Sequence, residues 1–290
     1  MRRQVIWGGV GVVALLLTGA LVGMAVRVLS LELVIVDREG MRTVLGSLPN
    51  GAFAPRLSPD GTRVAFTRGG AIWIVDIPAL GEPRQVPARP DAQFVAWDSS
   101  GERLFYTAST GTNQAIFVTD ADGTGGQGAP VRDPGRAPDS HSAALNAFSF
   151  ITLSGGDYDI YLFDETTRKT SPLVVITGSR QLSSAISPDG RWLAYKSDEN
   201  GRFEIWVQPI DGGTRVQVTR GGGSNPVWSG DGREIFYDDG DGLFVVDVIG
   251  DAELTFGQPR GLPVRGIEQS GSLRRQWNVM PDGRFLVMVR

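Results

Sequence analysis

Apolar residues along this chain come in short bursts, each announced by a similar polar phrase. Five copies of a turn-then-strand pattern share one register: SPDGTRVAFT (58–67), SSGERLFYT (99–107), SPDGRWLAYK (187–196), SGDGREIFYD (229–238) and MPDGRFLVMV (280–289). The polar half suits a tight hairpin turn, because proline presets φ, aspartate bonds the local backbone and glycine takes the φ > 0 position. In the apolar half, Val64, Leu104, Leu193, Ile235 and Leu286 stand three residues past the glycine. Phe66, Tyr106, Tyr195, Tyr237 and Met288 stand five past it, and the residues between (Ala65, Phe105, Ala194, Phe236, Val287) are apolar as well. Such strands are buried on both faces, as when one sheet lies between two others.

Measured from Pro59 through Ser99, Pro188 and Gly230 to Pro281, the copies are 40, 89, 42 and 51 residues apart. The long gap holds two periods, and HSAALNAFSFITLSGGDYDIYLFD (141–164) supplies the degenerate unit, with FSFITL and DIYLFD as its strands. Six units of this length match the period of four-stranded propeller blades. A third strand recurs as AIWIVDI (71–77), AIFVTDA (115–121), DIYLFDE (159–165), EIWVQPI (204–210) and LFVVDVI (243–249). The last unit has only a first and second strand, whereas LELVIVDREGMRTVLG (31–46) matches the third and fourth strands of FEIWVQPIDGGTRVQVTR (203–220). The sequence therefore predicts an all-β fold: a six-bladed β-propeller of four-stranded blades whose last blade is closed by both chain ends. Closure of this kind removes two open sheet edges.

The first residues read differently. MRRQ precedes VIWGGVGVVALLLTGALVGMAV (Val5 to Val26), 22 residues without a charge. That is about the ~20 residues a helix needs to cross a bilayer. Arg2 and Arg3 with the amino terminus outweigh Arg27, which keeps the N-terminus cytoplasmic and sends the rest of the chain outside. The expected organisation is a cytoplasmic stub (1–4), a transmembrane signal anchor (5–28) and the propeller (29–290). A cleaved signal peptide is the rival, since Thr18-Gly19-Ala20 and Gly23-Met24-Ala25 offer small residues, but the apolar run is longer than the usual signal core.

Composition narrows the chemistry. A net charge of −4 leaves no electrostatic footprint for nucleic acid. Cysteine is absent, which removes disulfides, thiolate catalysis and cysteine-held zinc together, and His141 is the single histidine.

The repeated phrases resemble those of TolB-like β-propellers over nearly all of residues 31–290. The ordered set GGGSNPVWSGDGREIFYDDGDGLFVVDV, LTFGQPRGLPV and PDGRFLVMV is similar, more narrowly, to the extracytoplasmic sensor propellers of bacterial membrane-bound serine/threonine kinases. That resemblance implies a cytoplasmic kinase, one transmembrane helix and then a propeller, and this chain departs from it by starting at the membrane segment.

Catalytic motifs fare poorly. GTGGQG (123–128) fits G-x-G-x-x-G, but Pro130, Pro134 and Pro138 follow, so no helix can start where a phosphate would sit, and a loop is expected. DADGTG (120–125) and DDGDG (238–242) lack the full oxygen set of a calcium loop and read as hairpin turns. A Ser-His-Asp assembly could use only His141, and its neighbours Asp139 and Ser140 sit too close along one strand to converge on it. The tryptophans Trp73, Trp97, Trp192, Trp206, Trp228 and Trp277 fall on blade strands and read as packing.

What remains for function is the channel. Taking the ends where the first strands begin, away from the hairpins, the expected partner-binding rim is Arg56, Phe94, His141, Gln181, Asn225, Arg275 and Gln276. A polar, varied and convergent set suits an envelope protein, a peptide or a small ligand. The reading is a non-catalytic binding or sensing module on the bacterial cytoplasmic membrane, facing the periplasm or exterior, with no cofactor, metal or nucleic acid. Two alternatives stand: a calcium-dependent hydrolase or lactonase, favoured if acidic side chains converge on the axis, and the sensor part of a split or truncated receptor kinase.

Overall fold

The computed structural model describes residues 31–111, 113–125, 128–131, 135–269 and 274–289. It opens with β1 (Glu32–Val36) and β2 (Arg42–Ser47). The first blade is β3 (Phe53–Leu57), β4 (Arg63–Arg68), β5 (Ala71–Asp76) and β6 (Arg84–Val86). The second is β7 (Gln93–Trp97), β8 (Arg103–Ser109), β9 (Gln114–Asp120) and β10 (Gly128–Val131). The third is β11 (Gly135–Ser142), β12 (Ala147–Ser154), β13 (Asp157–Asp164) and β14 (Lys169–Val174). The fourth is β15 (Gln181–Ile186), β16 (Trp192–Ser197), β17 (Glu204–Pro209) and β18 (Val216–Gln217). The fifth is β19 (Ser224–Trp228), β20 (Glu234–Asp238), β21 (Gly242–Ile249), β22 (Thr255–Phe256) and β23 (Arg260–Arg265). The sixth joins β24 (Trp277–Val279) and β25 (Phe285–Val289) to β1 and β2, in the order β2-β1-β25-β24.

All pairings are antiparallel, and first strands neighbour one another around the axis. Six blades and closure by both chain ends match the sequence expectation. The seam is dry: Leu33 and Ile35 pack with Val64 and Phe66 of the first blade, while Val34 and Val36 pack with Phe236 and Val245 of the fifth. A single strand thus serves two cores, each buried side chain contributing about 1.5–3 kcal/mol. The fifth blade departs from the four-stranded pattern. Its outermost layer is split, with β22 pairing with Val248 and Ile249 and β23 with the beginning of β21. This accounts for the longer spacing of that unit.

The repeated phrase is a hydrogen-bonded turn. Ser58 Oγ donates to Asp60 and accepts the Arg63 N–H at 2.9 Å. Ser187 and Ser229 do the same for Trp192 and Glu234, each at 2.9 Å. In the second blade the two residue types trade places, so that Ser100 donates to Asp98 at 2.8 Å. The turn glycines Gly61, Gly101, Gly190, Gly232 and Gly283 hold φ of 74°, 74°, 77°, 72° and 83°, which favours a residue without Cβ.

A second repeated device is invisible in the phrase itself. Seven residues before the turn glycine, Ala54, Phe94, Ser183 and Asn225 adopt φ of 50°, 51°, 53° and 54°. At each of these places the ladder between first and second strand slips by a bulge. Bulges re-aim side chains, and in these four blades they precede the first-strand residues that line the axial cavity.

Residues 1–30, on which the transmembrane expectation rests, lie outside the described residues. Among the described residues, no helix is long and apolar enough to cross a membrane.

Candidate functional site

Counting back five residues from each turn glycine gives Arg56, Ala96, Ala185, Val227 and Asn278. In the third blade Asn146 takes the place of glycine, with φ of 47°, and the same count gives His141. These six residues line one axial cavity that opens between the hairpins. Its larger lobe measures about 480 Å³ and the adjoining lobe about 270 Å³. Exposed Pro59, Pro188 and Pro281 from the turns stand around its mouth, with Trp97 and Trp228 in its wall. Both tryptophans also tie blades together: Trp97 Nε1 donates to the Arg56 carbonyl at 2.8 Å and Trp228 Nε1 to the Ala185 carbonyl at 3.0 Å.

The wall of this cavity carries guanidinium groups. Arg56 is 5% exposed, and its Nη1 donates to the carbonyls of Pro55 (2.9 Å) and Arg275 (3.1 Å). Burial, then repulsion from Arg275 and Arg274, pushes the Arg56 pKa well below its ordinary value, only partly offset by Asp139. Burial lowers that of Arg275 to about 10. The carboxylates nearby are already engaged. Asp139 pairs with Arg274 and accepts from the Ser184 N–H (3.0 Å) and hydroxyl (2.9 Å). Asp98 accepts the Arg103 Nε–H at 3.0 Å and its backbone N–H at 3.1 Å. Deeper along the axis, burial lowers the Lys196 pKa to about 8, while it raises that of Asp238, which accepts from Trp277 Nε1 at 2.8 Å.

The seven residues expected at one rim divide between two places. Arg56, His141 and Arg275 line the hairpin-face cavity. The others lie toward the opposite end, and three of them are buried rather than presented to solvent. Gln181 donates to Ser179 at 2.7 Å, Asn225 accepts from Ser183 and donates to Asp238, both at 2.9 Å, and Gln276 is 4% exposed. Phe94 lies under the Arg274 guanidinium at 5.2 Å. For Phe94, Gln181 and Asn225 the bulges account for the difference: they re-aim the strand, so that its downstream half, and not its beginning, reaches the cavity. His141 was expected at the start of a first strand, but β11 begins at Gly135 and places it at the hairpin end.

His141 meets partners that sequence adjacency did not suggest. Its Nδ1 lies 3.0 Å from Ser99 Oγ and its Nε2 2.9 Å from Glu165 Oε1. These are the distances of a nucleophile relay. However, Nδ1 also accepts the Ser99 backbone N–H at 3.1 Å, and Glu165 is held by Arg103 at 2.9 Å. The lone pair that would take a proton is thus shared with a backbone donor, and the network joins the second blade to the third. Arg274, Asn278 and Lys196 were missed by the sequence reading, which weighed Asp139 only as a triad partner of His141. Asn278, which donates to the Pro55 carbonyl at 3.0 Å, could have been found by the same five-residue count.

The two candidate calcium loops are turns: Asp239 accepts the N–H groups of Asp241 (2.9 Å) and Gly242 (3.0 Å), and Asp122 that of Thr124 (2.9 Å). Among the described residues, no group of three or more His, Asp or Glu side chains is placed to hold a metal ion.

No family model matches the chain. An uncharacterised protein of Agrobacterium fabrum is 25% identical over 206 residues, 66% of this chain and 65% of that protein. The Tol-Pal system protein TolB of Thioalkalivibrio sulfidiphilus is 35% identical over 80 residues, 27% of this chain and 18% of that one. The chain thus spans 65% of the first curated relative's length and 18% of the second's. Among solved structures, a TolB-like protein of Agrobacterium tumefaciens superposes with a TM-score of 0.70 at 19% identity, covering 90% of this chain and 98% of its own. TolB of Acinetobacter baumannii gives 0.60 at 19% identity, over 81% of this chain and 65% of its own. An oligogalacturonate lyase in complex with manganese gives 0.58 at 17% identity, over 86% and 80%. At these identities the structural likeness speaks to the fold, which is that of a TolB-like six-bladed β-propeller.

Proposed function

We propose that this chain is a non-catalytic binding module, held at the bacterial cytoplasmic membrane by residues 5–28 with its propeller in the periplasm or outside the cell. A protein or peptide segment docks at the mouth of the hairpin-face cavity. One observation carries this reading: the hairpin-face cavity gathers arginines where a hydrolytic site would present free carboxylates. The cavity's acids, Asp98 and Asp139, are each held by an arginine. A general acid or base needs a carboxyl group free to exchange its proton with substrate. The similarity to TolB supports an envelope setting, and the uncharged run Val5 to Val26 supports the anchor. The sensor form of the proposal, in which the partner is a signal relayed inward, is supported by the order of sequence phrases alone, and none of the relatives above bears the name of a kinase.

Site-specific photo-crosslinking in cells tests the docking face. A photoreactive residue at Pro188 or Pro281, on the cavity mouth, should trap a discrete partner, whereas the same residue at Val44, exposed on the outermost strand of the sixth blade, should not. Equal trapping at both faces, or none at the mouth, overturns the proposal. So does metal-dependent turnover of an ester, lactone or glycoside by the purified protein.

A further inference from the structure

We infer that the cavity is a carboxylate receptor, in which Arg56 and Arg275 take up an acidic group of the docked segment. This rests on the binding reading above and names the chemistry of its ligand. The two arginines come from the first and sixth blades and meet at the seam, where Arg56 donates to the Arg275 carbonyl. Neither forms an ion pair among the described residues, and the attraction of Asp139 for both, with that of Asp238 for Arg275, only partly offsets their burial. Among the described residues, Arg56 uses only Nη1, and only on carbonyl oxygens. Arg275 Nε is buried and makes no hydrogen bond. The nearest carboxylate, Asp139, is filled by Arg274 and by two donors from Ser184.

Two guanidinium groups set side by side at the wall of an open cavity are an unusual investment unless something negative completes them. Burial and mutual repulsion already depress the affinity of Arg56 for its proton. A planar carboxylate matches the guanidinium fork and forms charge-assisted hydrogen bonds, about twice as strong as neutral ones. The remainder of the lining suits a peptide. Trp97, Trp228, Val227 and Met280 offer apolar surface above the charged wall, and about 480 Å³ admits a few side chains. An acidic side chain and a chain-terminal carboxylate share this chemistry, and the test separates them.

Four acetylated pentapeptides are titrated into the full-length protein in detergent at fixed ionic strength, followed by tryptophan fluorescence. One has a central aspartate and an amidated end, the second asparagine in its place, the third is all alanine with a free carboxylate, and the fourth is its amide. At least one acid should bind about tenfold tighter than its neutral twin, the gain of one charge-assisted contact. The better of the two acids identifies the source of the carboxylate. Arg275→Gln should abolish the preference without lowering the melting temperature. Arg275→Lys, which keeps the charge but loses the fork, should retain part of it and covers the case in which the glutamine variant does not fold. Arg68→Gln, at an exposed site, should change nothing.

If neutral and acidic peptides bind equally, the carboxylate inference fails while the docking proposal stands. The inference also fails if the preference survives in both Arg275 variants, or if inorganic sulfate competes as well as the acidic peptide. Absence of peptide binding alongside crosslinking at the mouth overturns the receptor chemistry alone. Loss of crosslinking overturns the docking proposal.

Discussion

Replacing Leu33 by alanine asks whether the first strand is part of the fold or an appendage to it. Leu33 is 0% exposed and packs among Val64, Phe66, Val75 and Leu286, so its truncation opens a cavity shared by the sixth and first blades. Buried Leu→Ala changes cost about 2–5 kcal/mol, depending on how far the site collapses. In a domain of this size each kcal/mol moves the midpoint by about 2–4 °C, so a fall of roughly 5–15 °C is expected. Leu193, 0% exposed in the fourth blade, provides the matched comparison, and its alanine variant should fall by a similar amount. Val44→Ala, at a site 58% exposed, should stay within about 0.5 kcal/mol of the parent. Deleting residues 31–46 goes further, because Leu33, Val34, Ile35 and Val36 all leave the core. At about 1.5–3 kcal/mol each, their sum is about 6–12 kcal/mol, on the scale of the whole folding free energy. The assay is circular dichroism on heating at one scan rate. A Leu33→Ala protein that melts within about 2 °C of the parent, while Leu193→Ala falls as expected, would refute closure by the first strand.

Other outcomes follow from single contacts. Trp97→Phe keeps the ring but leaves the buried Arg56 carbonyl without its donor, which should destabilise by about 1–3 kcal/mol in urea unfolding. Lys196 gives a pH signature. Its folded pKa of about 8 lies below the ordinary lysine value, so the stability it contributes is gained as pH rises through about 8 and lost as pH falls. Unfolding midpoints should therefore climb between about pH 8 and 10, and Lys196→Met should flatten that climb. For the proposed topology, alkaline phosphatase fused to the C-terminus should be active in cells, and a well-expressed but silent fusion would refute it.

The fold was legible because its signal is repeated. A hairpin phrase that recurs in register fixes strand, turn and period together, and the unmatched strands at the two ends could only complete each other. The site was less legible. Arg56 and Arg275 were found, but on the assumption that the rim lies where first strands begin. The left-handed bulges at Ala54, Phe94, Ser183 and Asn225 reverse that, and of these residue types only asparagine favours positive φ. The third blade misled for a related reason. Asn146 replaces the turn glycine, and without Ser-Pro-Asp-Gly the register of His141 was lost, although asparagine tolerates the same backbone region. Arg274, far from Asp139 in sequence, could not be paired with it by any local pattern.

Closure by the two chain ends also sets a timetable for biosynthesis. Val34 pairs with Val287, and 287 − 34 = 253 residues separate them. At about 5–20 residues per second, the ribosome needs roughly 13–50 s to make the later partner after the earlier one. For that interval β1 has one apolar face toward a first blade that is already folding and no neighbour for its backbone groups on the side of β25. A waiting strand of this kind is an aggregation hazard, and contacts so distant along the chain form late. Translation that stops even ten residues short would leave β24 without a partner and β1 paired on the side of β2 alone.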